Sequence, residues 1–453
     1  MLKRILIALT VVIIAGIGLI WWLASGGQAK LDVADVQGRF PKIVDPIGAR
    51  IIPVMNVPKA VGWKDGATPV AAPGLKVAAF ATGLDHPRQV YVLPNGDVLV
   101  AESNKPADYG DGKGFTGWVQ GLVMGHAGAK APSANRITLL RDTNGDGVAD
   151  VKTRFLTGLW GPYGMALVGD QLYVANTDSL WRFPYQTGAT KIASKGVKVM
   201  DLPGKPFNHH WTKNLVASPD GKFLYIAIGS NSNVAENGMA AEAERARIWQ
   251  FDLTTKERTT FAYGLRNPVG LAFEPHSKRL WTAVNERDEL GSDIVPDYIT
   301  SVQFGGFYGW PYYYWGGFPD KRVGPDESTS QEQIDAMAQY VTRPDYAVGP
   351  HTASLGLTFA EGAKLGPKFA DGAFVGQHGS WNRRPVSGYK VIYVPFGANG
   401  FPVKDVKPVD VLTGFLNKDG EAQGRPVGVA VDKAGGLLVA DDAGNTIWRV
   451  TGK

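Results

Sequence analysis

The chain has 453 residues, 44% hydrophobic and 20% charged, which permits a large buried core and excludes an intrinsically disordered protein. Its net charge of +5 is carried without any run of Lys or Arg longer than two residues, which gives nucleic acid no footing. There is no cysteine, so disulfides, thiolate metal sites and cysteine nucleophiles are excluded together, and any metal must sit on oxygen or histidine.

At the N-terminus, Lys3-Arg4 precede an uninterrupted apolar run from Ile5 to Leu23 that ends in Trp21-Trp22. That length is close to the ~20 residues of a membrane-spanning helix, and interfacial tryptophans suit an anchor. Residues 1–25 are therefore expected to be one N-terminal transmembrane helix, its positive flank cytoplasmic and the remainder held in the periplasm at the inner membrane. A cleaved signal segment would release the chain into the periplasm instead. Residues 26–73, rich in Gly, Pro and Ala, read as a linker.

From residue 74 to 453 the chain returns six times to one pattern: a turn, a short apolar strand, a Pro/Asn/Asp/Gly turn and a second apolar strand. The copies are Gly83–Ser103, Gly158–Asp178, Asn208–Ser230, Gly264–Glu286, His351–Ser380 and Gln423–Asp442. Several continue into a third strand, as at Ser179–Pro184 and Thr446–Val450. A lone sheet of this kind cannot cover both faces, so six copies predict an all-β, six-bladed propeller. Leu75–Ala81 is placed to supply the outer strand of the last blade and close the ring. In such a ring, ligand groups gather where inner strands begin around the axis.

Asn208-His209-His210-Trp211 opens the third copy, and an imidazole at a strand entrance can serve as a general base near neutral pH. Arg266-Asn267-Pro268 stands at the same point of the fourth copy, where a guanidinium and an amide can hold a polyanionic or carbonyl-rich ligand. Asp142-Thr-Asn144-Gly-Asp146-Gly-Val-Ala-Asp150 matches the first nine positions of an EF-hand calcium loop, with Thr153 in place of its final glutamate. Asn285–Asp297 is acidic, and the carboxylates and backbone carbonyls of such a loop can hold a second hard cation next to Arg266. The aromatic run Phe307–Phe318 can either wall a sugar or planar ligand or pack internally.

Taken together, HHWTKNLVASPDGKFLYIAIGS, GLRNPVGLAF, NERDELGSDIVPDY with GGFYGWP, and HTASLGLTF with QHGSWNRRPVSGYKV resemble the pyrroloquinoline quinone (PQQ)-dependent sugar dehydrogenases, in particular the L-sorbosone dehydrogenase-like branch. The resemblance covers about Leu75 to Val450. It implies His210 as catalytic base, Arg266 stabilising charge on the reduced quinone, and Asn267, His209 and Arg383 as cofactor-binding residues. It also implies a calcium ion on backbone carbonyls near Asp288 and Glu289, a sugar or aldehyde substrate, and a quinone or cytochrome as electron acceptor. The sequence departs from the family at His209, where glucose-oxidising members carry aspartate, and at Leu159-Trp160-Gly161, where a cofactor glutamine is due. Two other readings of the ring are a calcium-dependent, lactonase-like hydrolase and a non-catalytic binding propeller. Converging carboxylate ligands would mark the first, and an axis without a histidine and arginines the second.

Overall fold

Each of the six repeats forms the inner half of a four-stranded antiparallel blade. The computed structural model of the chain describes residues 27–46, 54–106, 132–205 and 208–453, with isolated positions at 10, 14, 16 and 125. Blade 1 runs Pro87–Val92, Val98–Glu102, Arg136–Arg141 and Val151–Leu156. Blade 2 runs Met165–Val168, Gln171–Ala175, Ser179–Pro184 and Val197–Asp201. Blade 3 runs Lys213–Ala217, Phe223–Ile228, Arg247–Asp252 and Arg258–Tyr263. Blade 4 is Pro268–Phe273, Leu280–Val284, Pro296–Ser301 and Tyr346–Pro350. Blade 5 is Ser354–Phe359, Gly372–Gln377, Lys390–Pro395 and Val409–Thr413. Blade 6 takes Pro426–Val431, Leu437–Asp441 and Thr446–Gly452 from the C-terminus. Its outer strand is Leu75–Ala81, paired antiparallel from Leu75 with Gly452 to Ala81 with Ile447, as the closing role requires.

Second strands, sandwiched between neighbouring blades, are the most deeply covered: Val98–Glu102, Leu280–Val284 and Leu437–Asp441 are buried at every residue. Outer strands such as Val151–Leu156 alternate between covered and wet positions over their first four residues, the period of a half-exposed strand. The inner strands crowd the axis because they carry glycine at the contact. A β-carbon on Gly356 would lie 2.0 Å from the Val427 carbonyl oxygen, and one on Gly164 2.4 Å from the Leu215 nitrogen. Tyr163, Trp211, Val269, Leu355 and Val427 come from five successive strand entrances and form an apolar layer across the axis. Arg88 of the sixth entrance lies over the Trp211 ring, 5.7 Å from its centroid.

Pro87 pairs with Glu102, Pro268 with Val284 and Pro426 with Asp441. Entrances of inner strands and exits of second strands therefore share one face of the ring. On that face Asp442 ties blades 5, 6 and 1 together. Its Oδ2 accepts from Arg88 Nη1 at 2.5 Å and His378 Nε2 at 2.8 Å, and its Oδ1 from Arg425 Nε at 3.2 Å. Burial alone would raise this carboxyl, but Arg425, His378 and His86 hold it well below the usual range.

The stretch expected as a linker is pinned where it is described. Gln37–Gly38 adds to the outer edge of blade 4 and Val70–Ala71 to that of blade 5, covering edges that would otherwise present unpaired backbone groups. The expected anchor, Ile5–Leu23, lies outside the described residues apart from three isolated positions. Among the described residues no helix is long and apolar enough to cross a membrane.

Replacing Asp442 with alanine strands two guanidinium groups that are only 8% (Arg88) and 7% (Arg425) exposed. The expected loss is about 3–5 kcal/mol of stability, read as a lowered midpoint in denaturant unfolding. An unchanged midpoint would show that the blades close without this carboxylate.

Candidate active site

His210 leads into the inner strand of blade 3 and is buried. Its Nδ1 lies 2.9 Å from the Ser230 carbonyl oxygen and 3.0 Å from Ser230 Oγ. A carbonyl only accepts, and the Ser230 hydroxyl already donates to the Ser232 carbonyl at 2.6 Å. Nδ1 therefore carries the proton and the lone pair sits on Nε2. Burial first, and Arg266 next, hold the His210 pKa well below 6.5, so the ring is neutral. His209 stacks edge-on against it at 4.9 Å between centroids and exposes its own ring.

Gly229 lets His210 and Asn267 meet: a β-carbon there would fall 2.5 Å from His210 Cβ and 2.4 Å from Asn267 Oδ1. Asn267 Oδ1 is buried and without a protein partner. Arg266, 1% exposed, spends all five N–H groups on protein acceptors. Nε donates to the Asn233 carbonyl, Nη1 to the carbonyls of Asn285 and Glu286, and Nη2 to Asn233 Oδ1 and Asp288 Oδ2, at 2.7–3.3 Å. It acts on its surroundings as a fixed positive charge, not as a free donor.

Asn233 is the hinge of this arrangement. Besides receiving Arg266 it accepts the Asp288 amide at 2.9 Å and donates Nδ2 to the Asp288 carbonyl at 3.2 Å. Asp288 Oδ1 accepts from Asn382 Nδ2 at 2.8 Å. Burial would raise the Asp288 carboxyl, yet Arg266 above all holds it at about 2. His351 Nε2 meets the Gly291 carbonyl at 2.7 Å, so that nitrogen bears the proton and Nδ1 accepts from Asn382 at 3.3 Å.

The structure brings His209, His210, Arg266, Asn267 and Asp288 to one face of the ring, around the axis. Arg383 is one residue away from that company. Its guanidinium turns to the carbonyls of Pro385 and Leu31, at 2.8 and 2.9 Å, and toward Asp293, while Asn382 points to Asp288. Glu289 is exposed. The Asp288 carbonyl is already bonded by Asn233 and by Arg322 Nη1 at 2.9 Å.

Asp142, Asn144, Asp146 and Asp150 lie in the turn between the outer strands of blade 1, on the opposite face. Asp142 accepts the amides of Gly145 and Gly147, Asn144 that of Asp146, Asp146 that of Val148, and Asp150 that of Thr143, at 2.7–2.9 Å. These oxygens cap their own turn. Among the described residues, no three His, Asp or Glu side chains come together as a metal cluster. Of the two roles open to the aromatic run, packing holds: Tyr308, Trp310, Tyr312, Tyr313, Tyr314 and Trp315 are buried. Trp310 Nε1 donates to the Asn233 carbonyl at 2.9 Å, and Arg287 bonds the Pro311 and Tyr313 carbonyls behind the Asp288 loop.

Sequence reasoning passed over Asn233, Asn382, Arg88, Arg425, His378 and Asp442. The polar runs Gly-Ser-Asn-Ser-Asn233 and Ala-Asp-Asp442, each directly after a second apolar strand, were the available signal.

Residues 135–303 and 303–453 match the family described as TrAA12-like. A pyrroloquinoline quinone-dependent sugar dehydrogenase of Hypocrea jecorina is 24% identical over 423 residues, 84% of this chain and 88% of that protein. A pyrroloquinoline quinone-dependent pyranose dehydrogenase of Coprinopsis cinerea is 23% identical over 369 residues, 73% of this chain. The chain spans only 45% of that relative's length. The calcium structure of a Trichoderma reesei family AA12 carbohydrate-active enzyme superposes with a TM-score of 0.66 at 19% identity, over 88% of this chain and 99% of that one. With the family model matched over residues 135–453, most of the chain, the chain belongs to the TrAA12-like family.

Proposed function

We propose that the chain is a PQQ-dependent dehydrogenase that oxidises a sugar or a related alcohol or aldehyde. The observation that carries this is the His210 imidazole, its Nδ1 proton committed to Ser230 and its Nε2 lone pair left open beside a fixed guanidinium. Both dehydrogenase relatives support the cofactor and the substrate class.

The residues present fit a planar, polyanionic quinone. Asn267 presents a buried amide oxygen without a protein partner, an acceptor for a ligand N–H or O–H. Arg266 places a cation beside it, and Arg88 and Arg425 supply positive charge across the axis. When bound, PQQ supplies the hydride acceptor. His210 Nε2 takes the proton of the substrate hydroxyl, Ser230 keeps the imidazole in the competent tautomer, and Arg266 favours negative charge developing near it. Asp288, Asn233 and Asn382 hold that guanidinium in place.

Calcium is part of the proposal by likeness to the calcium structure. As arranged, the Asp288 loop does not fit the ion, because its carbonyl and carboxylate oxygens already accept from Asn233, Arg322, Arg266 and Asn382.

The run Ile5–Leu23 supports an uncleaved anchor in the inner membrane, with the propeller in the periplasm and a quinone or cytochrome taking the electrons.

His210→Ala is expected to retain PQQ binding, followed by absorbance titration, and to lose about 10²–10⁴-fold in kcat with a sugar and an artificial dye. Turnover near the parent rate would remove the base. Because the His210 pKa is lowered, the unprotonated form persists to more acidic pH. The acid limb of kcat/KM should therefore fall below the ordinary histidine value of about 6.5; a limb at or above it would contradict the buried neutral imidazole.

A further inference from the structure

The N-terminal segment reaches the ring at the rim of the site itself. Ser292 Oγ donates to the Gly27 carbonyl, Ala29 N to the Arg384 carbonyl at 2.7 Å and Lys30 N to Asp293 Oδ2 at 2.7 Å. Arg383 Nη2 donates to the Leu31 carbonyl at 2.9 Å. Ser292 and Asp293 follow Asp288 in one loop, and Arg383 and Arg384 follow Asn382 in another, so these are loops of the site-bearing face. The apolar run ends at Leu23. Four further residues reach Gly27, a span of at most about 14 Å even when fully extended.

The same rim is dressed for an interface. Exposed large apolar side chains there include Trp381 (37%), Met55 (37%) and Val61 (43%). They are joined along one path: Asn56 N donates to the Trp381 carbonyl, Arg384 Nη2 to the Met55 carbonyl at 2.7 Å, and Val61 N to the Ala422 carbonyl at 2.9 Å. Arg384 and the exposed Lys59 flank them. A tryptophan with aliphatic neighbours and basic residues at the edge is the composition that settles at the headgroup boundary of a bilayer.

We propose that the face carrying His210 and Arg266 docks on the lipid bilayer, with Trp381, Met55 and Val61 in the interface. The placement rests on the anchor proposed above and is independent of the redox reading. Its consequence is that a lipid-dissolved acceptor, a quinone, reaches the mouth of the site without crossing open water.

The absence of cysteine makes the test clean. Lys59→Cys on the rim and Lys222→Cys are labelled with a fluorophore in the full chain, the latter in the turn between the first two strands of blade 3, on the opposite face. Each is reconstituted into phosphatidylcholine vesicles with and without headgroup-nitroxide lipid. Severalfold quenching at position 59 with no change at 222 is the expected result. A chain that floats with the vesicles but is quenched equally at both positions, or at neither, overturns the docking while leaving the anchor. A chain that does not float overturns both. Sugar oxidation in detergent solution is unaffected by either outcome and tests the enzymatic reading separately.

Discussion

One hydrogen bond decides what the centre of this ring can do. The Ser230 carbonyl, at the exit of the second strand of blade 3, fixes the proton of His210 on Nδ1 and so leaves Nε2 as the basic atom of that ring. The bond exists because strand entrance and strand exit share one face, which follows from antiparallel pairing within the blade. Gly229, the residue before Ser230, keeps the gap narrow enough for the imidazole of blade 3 and the amide of blade 4 to face each other.

Around that bond the chain accumulates buried charge in two separate nests. Arg266 is held by Asp288 and by carbonyls. Arg88 and Arg425 are held by Asp442. Each carboxylate is kept ionised by its guanidinium partners despite burial. Buried ion pairs of this kind contribute little net stability against apolar packing of the same shape, but removing one partner is costly. They cost stability that a purely structural axis would save, which is the pattern of a site that must present charge to a ligand.

Most of the architecture was legible from residues 83 to 450. The six repeats are the six inner strand pairs, and Pro-x-Gly at 268–270 and 426–428 marks strands that must pass close to a neighbour. Leu75–Ala81 closes the ring because blade 6 lacks a fourth strand of its own. Half of the site was legible too, since His210, Arg266 and Asn267 stand at equivalent entrances. The other half was not. Asp442 meets Arg88 across 354 positions of sequence, a pairing that only the closed ring creates. Arg383 and Asn382 are neighbours on a loop, and a one-residue difference in where that loop turns sends the guanidinium to Leu31 and the amide to Asp288. The Asp142 turn has the spacing of a calcium loop, but its oxygens serve its own backbone amides, which spacing cannot distinguish from metal ligation.

The central claim is that the open Nε2 of His210 is the base for a sugar hydroxyl, with PQQ, when bound, as the hydride acceptor. It is tested most directly by an anaerobic single turnover: one equivalent of sugar added to the PQQ-loaded chain, with the quinone absorbance followed in the parent and in His210→Gln. The account predicts that the oxidised spectrum is lost in the parent and persists in the variant on the same timescale. Bleaching at equal rates in both proteins, or none in the parent with any pyranose or aldose tried, would contradict it.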